Sequence, residues 1–453
     1  MVPRPRPTSP PRRRPVTWAT AFAIAGIALG PGGAAPSASH AASILLTGAT
    51  VHTVSGPVIT NGAVLVRDGR IAAVGTGVTE AADARVDLAG LHLFPGLVAP
   101  TSILGLQEID SVRATRDTTE SGDYHPEVAS WVAVNPDSEL IPVARANGYT
   151  HAQPIPLGGV VSGRSGVIAL AGWSVEDLAV KRDAGLHVFW PSFAFDLTPK
   201  ERSSNPANWK SLADQAKDRD RRLRELDHFF SEAEAYGRAR QANSNATPMV
   251  PAWEAVQPVL AGTTPVFLHA DETRQIRSAV QWAVRRKFKA VLAGGRDAWK
   301  VADLLATNRI PVAYEHVFTQ PARDEDPYDV HYAAPAVLAR AGVEVSFTEG
   351  ADRFGASNIR NLPYAAAQAV AFGLPVEEAH KGLTLYPARF LGLADQLGSI
   401  EPGKEASFFA ATGDILDIRS EVRRLWIAGR EVPLESRHTR LYERYKSRPA
   451  PPR

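Results

Sequence analysis

The chain has 453 residues, 44% hydrophobic and 22% charged, which is ordinary globular composition with material for one large core and a smaller one. Its formal charge is +2, but the first 41 residues hold five arginines and no acid, so the remainder carries −3 and charge offers no case for nucleic-acid binding. Cysteine is absent, which excludes a disulfide framework, a cysteine–zinc site and a thiol nucleophile; any metal must be held by His, Asp, Glu or a modified Lys.

Residues 1–41 read as a signal peptide. A basic stretch to Arg14 precedes an apolar run from Val16 to Leu29, then small residues ending in Ser39-His40-Ala41, a cleavage-like triplet. The alternative is an uncleaved anchor, although the apolar run is short against the ~20 residues that span a bilayer. Arg12-Arg13-Arg14 leaves Sec and twin-arginine export both open. Either route leads to a periplasmic or extracellular protein with no membrane span after cleavage.

Residues 42–95 read as short strands. "ILLTGATVHTVSG" and "GAVLVRDGRIAAVG" run apolar between turns, with Asp68-Gly69 as a hairpin signal. Residues 396–436 share this texture, so both ends of the mature chain are expected to build one small composite β-sandwich. Residues 437–453 form a basic, proline-ending tail.

Between them, residues 96–395 alternate strand-like and helix-like runs. The strand-like runs are "YTHAQPI", "GVIAL", "HVFWPSF", "TPVFLHA", "KAVLAGG", "IPVAYEH" and "VEVSFTEG". Helix-like runs such as "ETRQIRSAVQWAVRRK" lie among them. Strand, helix, strand repeated this often predicts an α/β fold with a (β/α)8 TIM-type barrel. A polar segment at about 197–262 interrupts the alternation as a helical insertion, with Leu223, Leu226, Phe229 and Phe230 on one stripe that would pack on the barrel. "GGVVSGRSG" reads as a glycine-rich loop, not as the setting of a serine nucleophile.

Three stretches carry a family resemblance. "GATVHTVSGPVITNGAVLVRDGRIAAVG" followed by "LHLFPGLVAP" resembles the opening of amidohydrolases of the imidazolonepropionase-like kind, and "AVAFGLPVEEAHKGLTLYPARFLGLADQLGSIEPGKEASFFA" resembles their close. "LGLQEIDSVRATRDTTESGDYHPEVASWVAVNPDSELIPVARANGYT" is similar to a bacterial branch of the group. The resemblance implies hydrolysis of non-peptide carbon–nitrogen bonds in cyclic amides and similar compounds. One or two divalent metals at the C-terminal strand ends would activate water.

The positions that the resemblance matches to metal ligands mostly hold other residues. Thr101 and Ile103 stand where a His-x-His pair is expected, Ala169 where a bridging lysine is expected, and Gly294 and Gly295 at the sixth-strand histidine. Glu349 stands in for an aspartate, and His269 alone keeps the fifth-strand histidine.

Three readings follow. In the first, His269, His316 (or Glu315) and Glu349 form a rebuilt site for one divalent metal, zinc or manganese, with Asp271 as orienting group or base. In the second, Asp271, Glu349 and His269 act as acid–base groups without metal. In the third, the barrel is non-catalytic and serves as an exported ligand-binding or scaffold protein. A small-molecule ligand at the barrel mouth is expected in each case, with Arg113, Arg116, Arg164 and Arg360 as forked donors to an acidic or zwitterionic ligand. An oligomer is compatible with all three.

Overall fold

The computed structural model describes residues 43–350 and 354–448. The expected signal peptide at 1–41 and the last residues of the tail lie outside the described residues.

Two eight-stranded sheets organise the described residues. The first takes β1 (Ser43–Val51), β2 (Ile59–Arg67), β3 (Arg70–Gly75), β4 (Ala84–Asp87) and β5 (His92–Pro95) from one end of the chain. From the other end it takes β14 (Phe408–Ala411), β15 (Val422–Ile427) and β16 (Arg430–Glu431). Their order is β16-β15-β14-β5-β1-β2-β3, with β4 beside β1. The Asp68-Gly69 hairpin is the turn its sequence predicts: both residues sit at positive φ, 49° and 75°, as a two-residue turn between right-twisted strands requires. Fully buried Val51, Val64, Leu93, Phe408 and Ala410 form this sheet's core.

The second sheet is a barrel, with order β6 (Leu97–Ser102), β7 (Tyr149–Pro154), β8 (Val161–Ala169), β9 (Ala179–Phe189), β10 (Val266–Ala270), β11 (Ala290–Gly294), β12 (Val312–Tyr314) and β13 (Val345–Phe347). Each strand-like run named in the sequence contributes one of these strands. Phe267, Leu292, Val312 and Val345 are nearly inaccessible, as strands covered on both faces should be.

The barrel departs from an all-parallel closure at one place. β8 runs antiparallel to both β7 and β9. It also begins at Val161, so the segment expected as a glycine-rich loop is a strand. The reversal moves the end of "GVIAL": Ala169 pairs with His151 in the first half of β7, away from the C-terminal strand ends. Ala169 therefore cannot occupy a ligand position at the barrel mouth, and His187 on β9 supplies the side chain at that level.

The helix Thr273–Arg286 shows why the helical runs dock. Ile276, Ala279, Val280 and Ala283 recur at spacings of three and four and are buried, and Glu272 with Gln275 closes a capping box at its start. The insertion holds the 31-residue helix Leu212–Ala242, capped by Ser211, and the helix Pro251–Leu260. Leu226 and Phe230 on the expected stripe are fully buried, and Phe230 meets Trp282 edge-to-face at 5.0 Å.

Candidate active site at the barrel mouth

The barrel interior near the C-terminal strand ends holds a chain of hydrogen-bonded neutral polar groups. Thr101 on β6 donates its backbone N–H to Gln153 on β7 (3.0 Å), and the Gln153 amide donates to Ser165 on β8 (2.8 Å). Ser165 Oγ lies 2.7 Å from His187 Nε2 on β9, and His187 Nδ1 lies 2.9 Å from His269 Nε2 on β10. In the other direction the Thr101 hydroxyl donates to Thr348 Oγ1 (2.9 Å) just beyond β13, and Thr348 donates to the Pro100 carbonyl. The chain joins groups from six strands or strand ends, and none of its members is more than 9% exposed.

Burial is the first cause of the titration behaviour of both histidines. It pushes His187 well below its ordinary value, with the nearby His269 adding to the effect, and it brings His269 down to about 3 against a smaller opposing pull from Asp271. Both rings are neutral, so each has one N–H to donate and one nitrogen to accept; His187 uses both along the chain, and His269 joins it through Nε2. His269 also stacks on Phe189 at 4.0 Å. Thr101 sits at φ 44°, a costly region for a β-branched residue, and its two hydrogen bonds hold it there.

A second arrangement lies on the β12–β13 side. A cavity of about 670 Å3 opens there, lined by Glu315, His316, Glu349, Asn358, Asn361 and Tyr364, among others. His316 Nε2 is 2.7 Å from Asp271 Oδ1, and its Nδ1 is 3.2 Å from the Thr319 hydroxyl. Burial works against ionisation of Asp271. The His316 hydrogen bond and charge, together with the Arg296 backbone N–H, outweigh it and hold the carboxyl below its ordinary value. Tyr314, at the end of β12, bonds through its hydroxyl to His331 (3.0 Å), and burial, followed by Asp271, keeps the phenol protonated.

Two glycines fit this arrangement sterically. A Cβ at Gly294 would stand 2.7 Å from Asp271 Oδ1, and one at Gly350 would stand 2.1 Å from the Glu315 carboxyl. A sixth-strand histidine at position 294 would therefore displace the Asp271 carboxylate that now holds His316.

The residues fit poorly with the divalent metal that the resemblance implies. His269 and His316 are tied to different partners, His187 and Asp271. Among the described residues no three His, Cys, Asp or Glu side chains converge as ligands would, so His269, His316 and Glu349 are not brought together as a ligand set. Glu349 and His316 do share the cavity wall, with Asp271 hydrogen-bonded to His316 and outside that lining.

The four arginines behave differently from the expectation. Arg164 bonds to Asp183 and to the carbonyls of Pro126 and Glu127, so it stitches the long loop after β6 to β8. Arg116 pairs with Asp110 at 3.5 Å, and Arg113 is exposed on a short turn. Arg360 is half-buried. None of the four lines the 670 Å3 cavity. Gln153, His187 and Thr348 went unnoticed in the sequence, and Ser165 was weighed there only as a nucleophile and set aside with its glycine-rich segment. The available signal was a polar residue at an inward, every-second position of an otherwise apolar strand, as in "HAQP" and "LHVF".

The model of the amidohydrolase family matches residues 303–432. An amidohydrolase from Thermotoga maritima MSB8 is similar at 28% identity, with a TM-score of 0.74, over 86% of this chain and 99% of that one. A prolidase solved with N-methylphosphonate-L-proline and a further amidohydrolase are each 17% identical with a TM-score of 0.51; they cover 86% of this chain and 99% and 98% of theirs, and speak to the fold alone. No curated protein matches in sequence. Together, the family-model match over residues 303–432 and the Thermotoga maritima structure support a likeness to the amidohydrolase superfamily.

Proposed function

We propose that the chain is a hydrolase of the amidohydrolase type that acts on a carbon–nitrogen bond of a small molecule held in the β12–β13 cavity. His316 is its general base and Asp271 the group that positions it. The observation that carries this reading is the 2.7 Å contact between the two, with His316 on the cavity wall and the Asp271 carboxyl held below its ordinary value.

The step needs no group beyond water. His316 takes a proton from a water molecule whose oxygen bonds to the carbonyl carbon, and Asp271 stabilises the imidazolium that forms. The tetrahedral intermediate then collapses as the C–N bond breaks, and His316 returns the proton to the departing nitrogen. The amides of Asn358 and Asn361, on the same cavity wall, offer donors to the developing oxyanion.

A screen of cyclic amides and N-acyl amino acids, run with wild type, His316→Gln and Asp271→Asn, tests the proposal. The expected result is turnover that falls at least ~100-fold in either variant while wild-type activity survives a chelator. Turnover abolished by the chelator and restored by zinc would overturn it. One observation favours a second reading, ligand binding without turnover: the hydrogen-bonded neutral chain fills the strand ends where the resemblance places metal ligands. Saturable binding of a screened ligand with no product would support that reading. Export also stands as a proposal, which N-terminal sequencing of the secreted protein tests.

A further inference from the structure

The opposite end of the barrel has its own cavity, about 460 Å3, at the N-terminal ends of β9 to β13. Its floor is apolar, with Val291, Leu305, Ile310, Val343 and Phe390 buried. Its polar lining is strongly one-sided: Lys181, Lys289, Arg309 and Arg389 stand against the single carboxylate Glu344. That carboxylate is already committed to Arg389. Lys289 and Arg309 make no ion pair among the described residues, and Lys181 gives one hydrogen bond to the Leu391 carbonyl (2.7 Å). The nearest acid to Lys181 along the chain, Asp183, is bonded to Arg164.

We propose that this cavity binds a small organic anion, with a carboxylate or phosphate headgroup on an apolar body. Three uncompensated cations at the rim of an apolar pocket create a positive potential that the protein does not neutralise, and an anionic headgroup would neutralise it while its body covers the floor. The lysine already registers that potential: burial first, and the Lys289 charge next, push Lys181 below its ordinary value. The cavity and the β12–β13 site lie at opposite strand ends, so occupancy here does not depend on the catalytic reading.

Isothermal titration of the purified chain with octyl phosphate, octanol and inorganic phosphate tests this. Wild type, Lys289→Glu/Arg309→Glu and His316→Gln are compared. The double variant changes two exposed residues and should fold normally, which a melting curve checks. Octyl phosphate should bind wild type and His316→Gln at one site, at least ~10-fold tighter than either octanol or inorganic phosphate, and lose at least ~10-fold in the double variant. Octyl phosphate affinity unchanged in the double variant would overturn the proposal. Octanol binding as tightly would remove the charge from the argument, and phosphate binding as tightly would remove the apolar body; either result also overturns it.

Discussion

Replacing His269 with Gln tests the buried chain directly, because the histidine contributes a pH-dependent term that Gln cannot. The ring titrates near its ordinary value of 6.5 once unfolded and at about 3 when folded, with burial the first cause. The unfolded state therefore binds a proton more readily, and stability falls as pH drops through 6.5 and continues to fall toward 3. Linkage gives a loss near zero at pH 7.5, about 2 kcal/mol at pH 5 and a ceiling of about 5 kcal/mol below pH 3 from this one group. The other buried histidines remain in the variant, so the difference in slope isolates position 269. Gln keeps an N–H to offer His187. The assay is urea unfolding followed by tryptophan fluorescence at pH 7.5 and pH 5.0. Wild type should lose about 2 kcal/mol more than His269→Gln over that interval. Equal losses would refute the neutral, buried His269. So would a zinc-dependent rise in wild-type stability that disappears in the variant, since that would make His269 a ligand.

Three further outcomes follow from the packing. Phe230→Ala empties a fully buried site against Trp282 and Phe288 and should cost about 3–5 kcal/mol in the same unfolding assay; under 1 kcal/mol would mean the helix Leu212–Ala242 is not docked. Arg164→Met should speed amide exchange in the loop at 103–139, which Arg164 stitches to β8, and leave mouth-ligand affinity alone; lost affinity with a protected loop would restore the binding role expected from sequence. Gly350→Ala forces a Cβ onto the Glu315 carboxyl, whereas Gly342→Ala meets nothing within 4 Å at a similarly positive φ. The first should cost about 1–3 kcal/mol more than the second, and equal costs would show that Glu315 moves freely.

The fold was legible because its signal is local. Apolar runs between turn residues marked the barrel strands, and Asp68-Gly69 marked its hairpin, since both depend on neighbours in sequence. The direction of β8 was not legible: an apolar run says strand but carries no sign, and "GGVVSGRSG" has the glycine content of a loop. The reversal then displaced Ala169 from the mouth and brought Ser165 and His187 to the polar chain. His269, Asp271, His316 and Glu349 lie at or just beyond strand ends, where the apolar runs before them put them, but which of them would meet was not readable. Asp271 and His316 are 45 residues apart, and their pairing depends on the glycine at 294, whose role is visible only in three dimensions.

The strand ends where the resemblance expects metal ligands hold a polar network, and that bears on where any chemistry can occur. A barrel stripped of ligands and otherwise unchanged would bury polar groups without partners, at a cost of about 1–3 kcal/mol each. Here Thr101, Gln153, Ser165, His187, His269 and Thr348 satisfy one another in a single chain, so the β6–β10 side is closed both sterically and electrically. A substrate group entering that side would have to break a satisfied, nearly inaccessible network. The β12–β13 side offers the opposite: an open cavity, an ionised Asp271, a histidine on the wall, and two glycines whose lack of side chains leaves room for the carboxylates. On the function proposed here, reactivity belongs to His316 and its neighbours. A substitution that reopened the other side, such as Ser165→Ala, should weaken the fold before it altered any turnover.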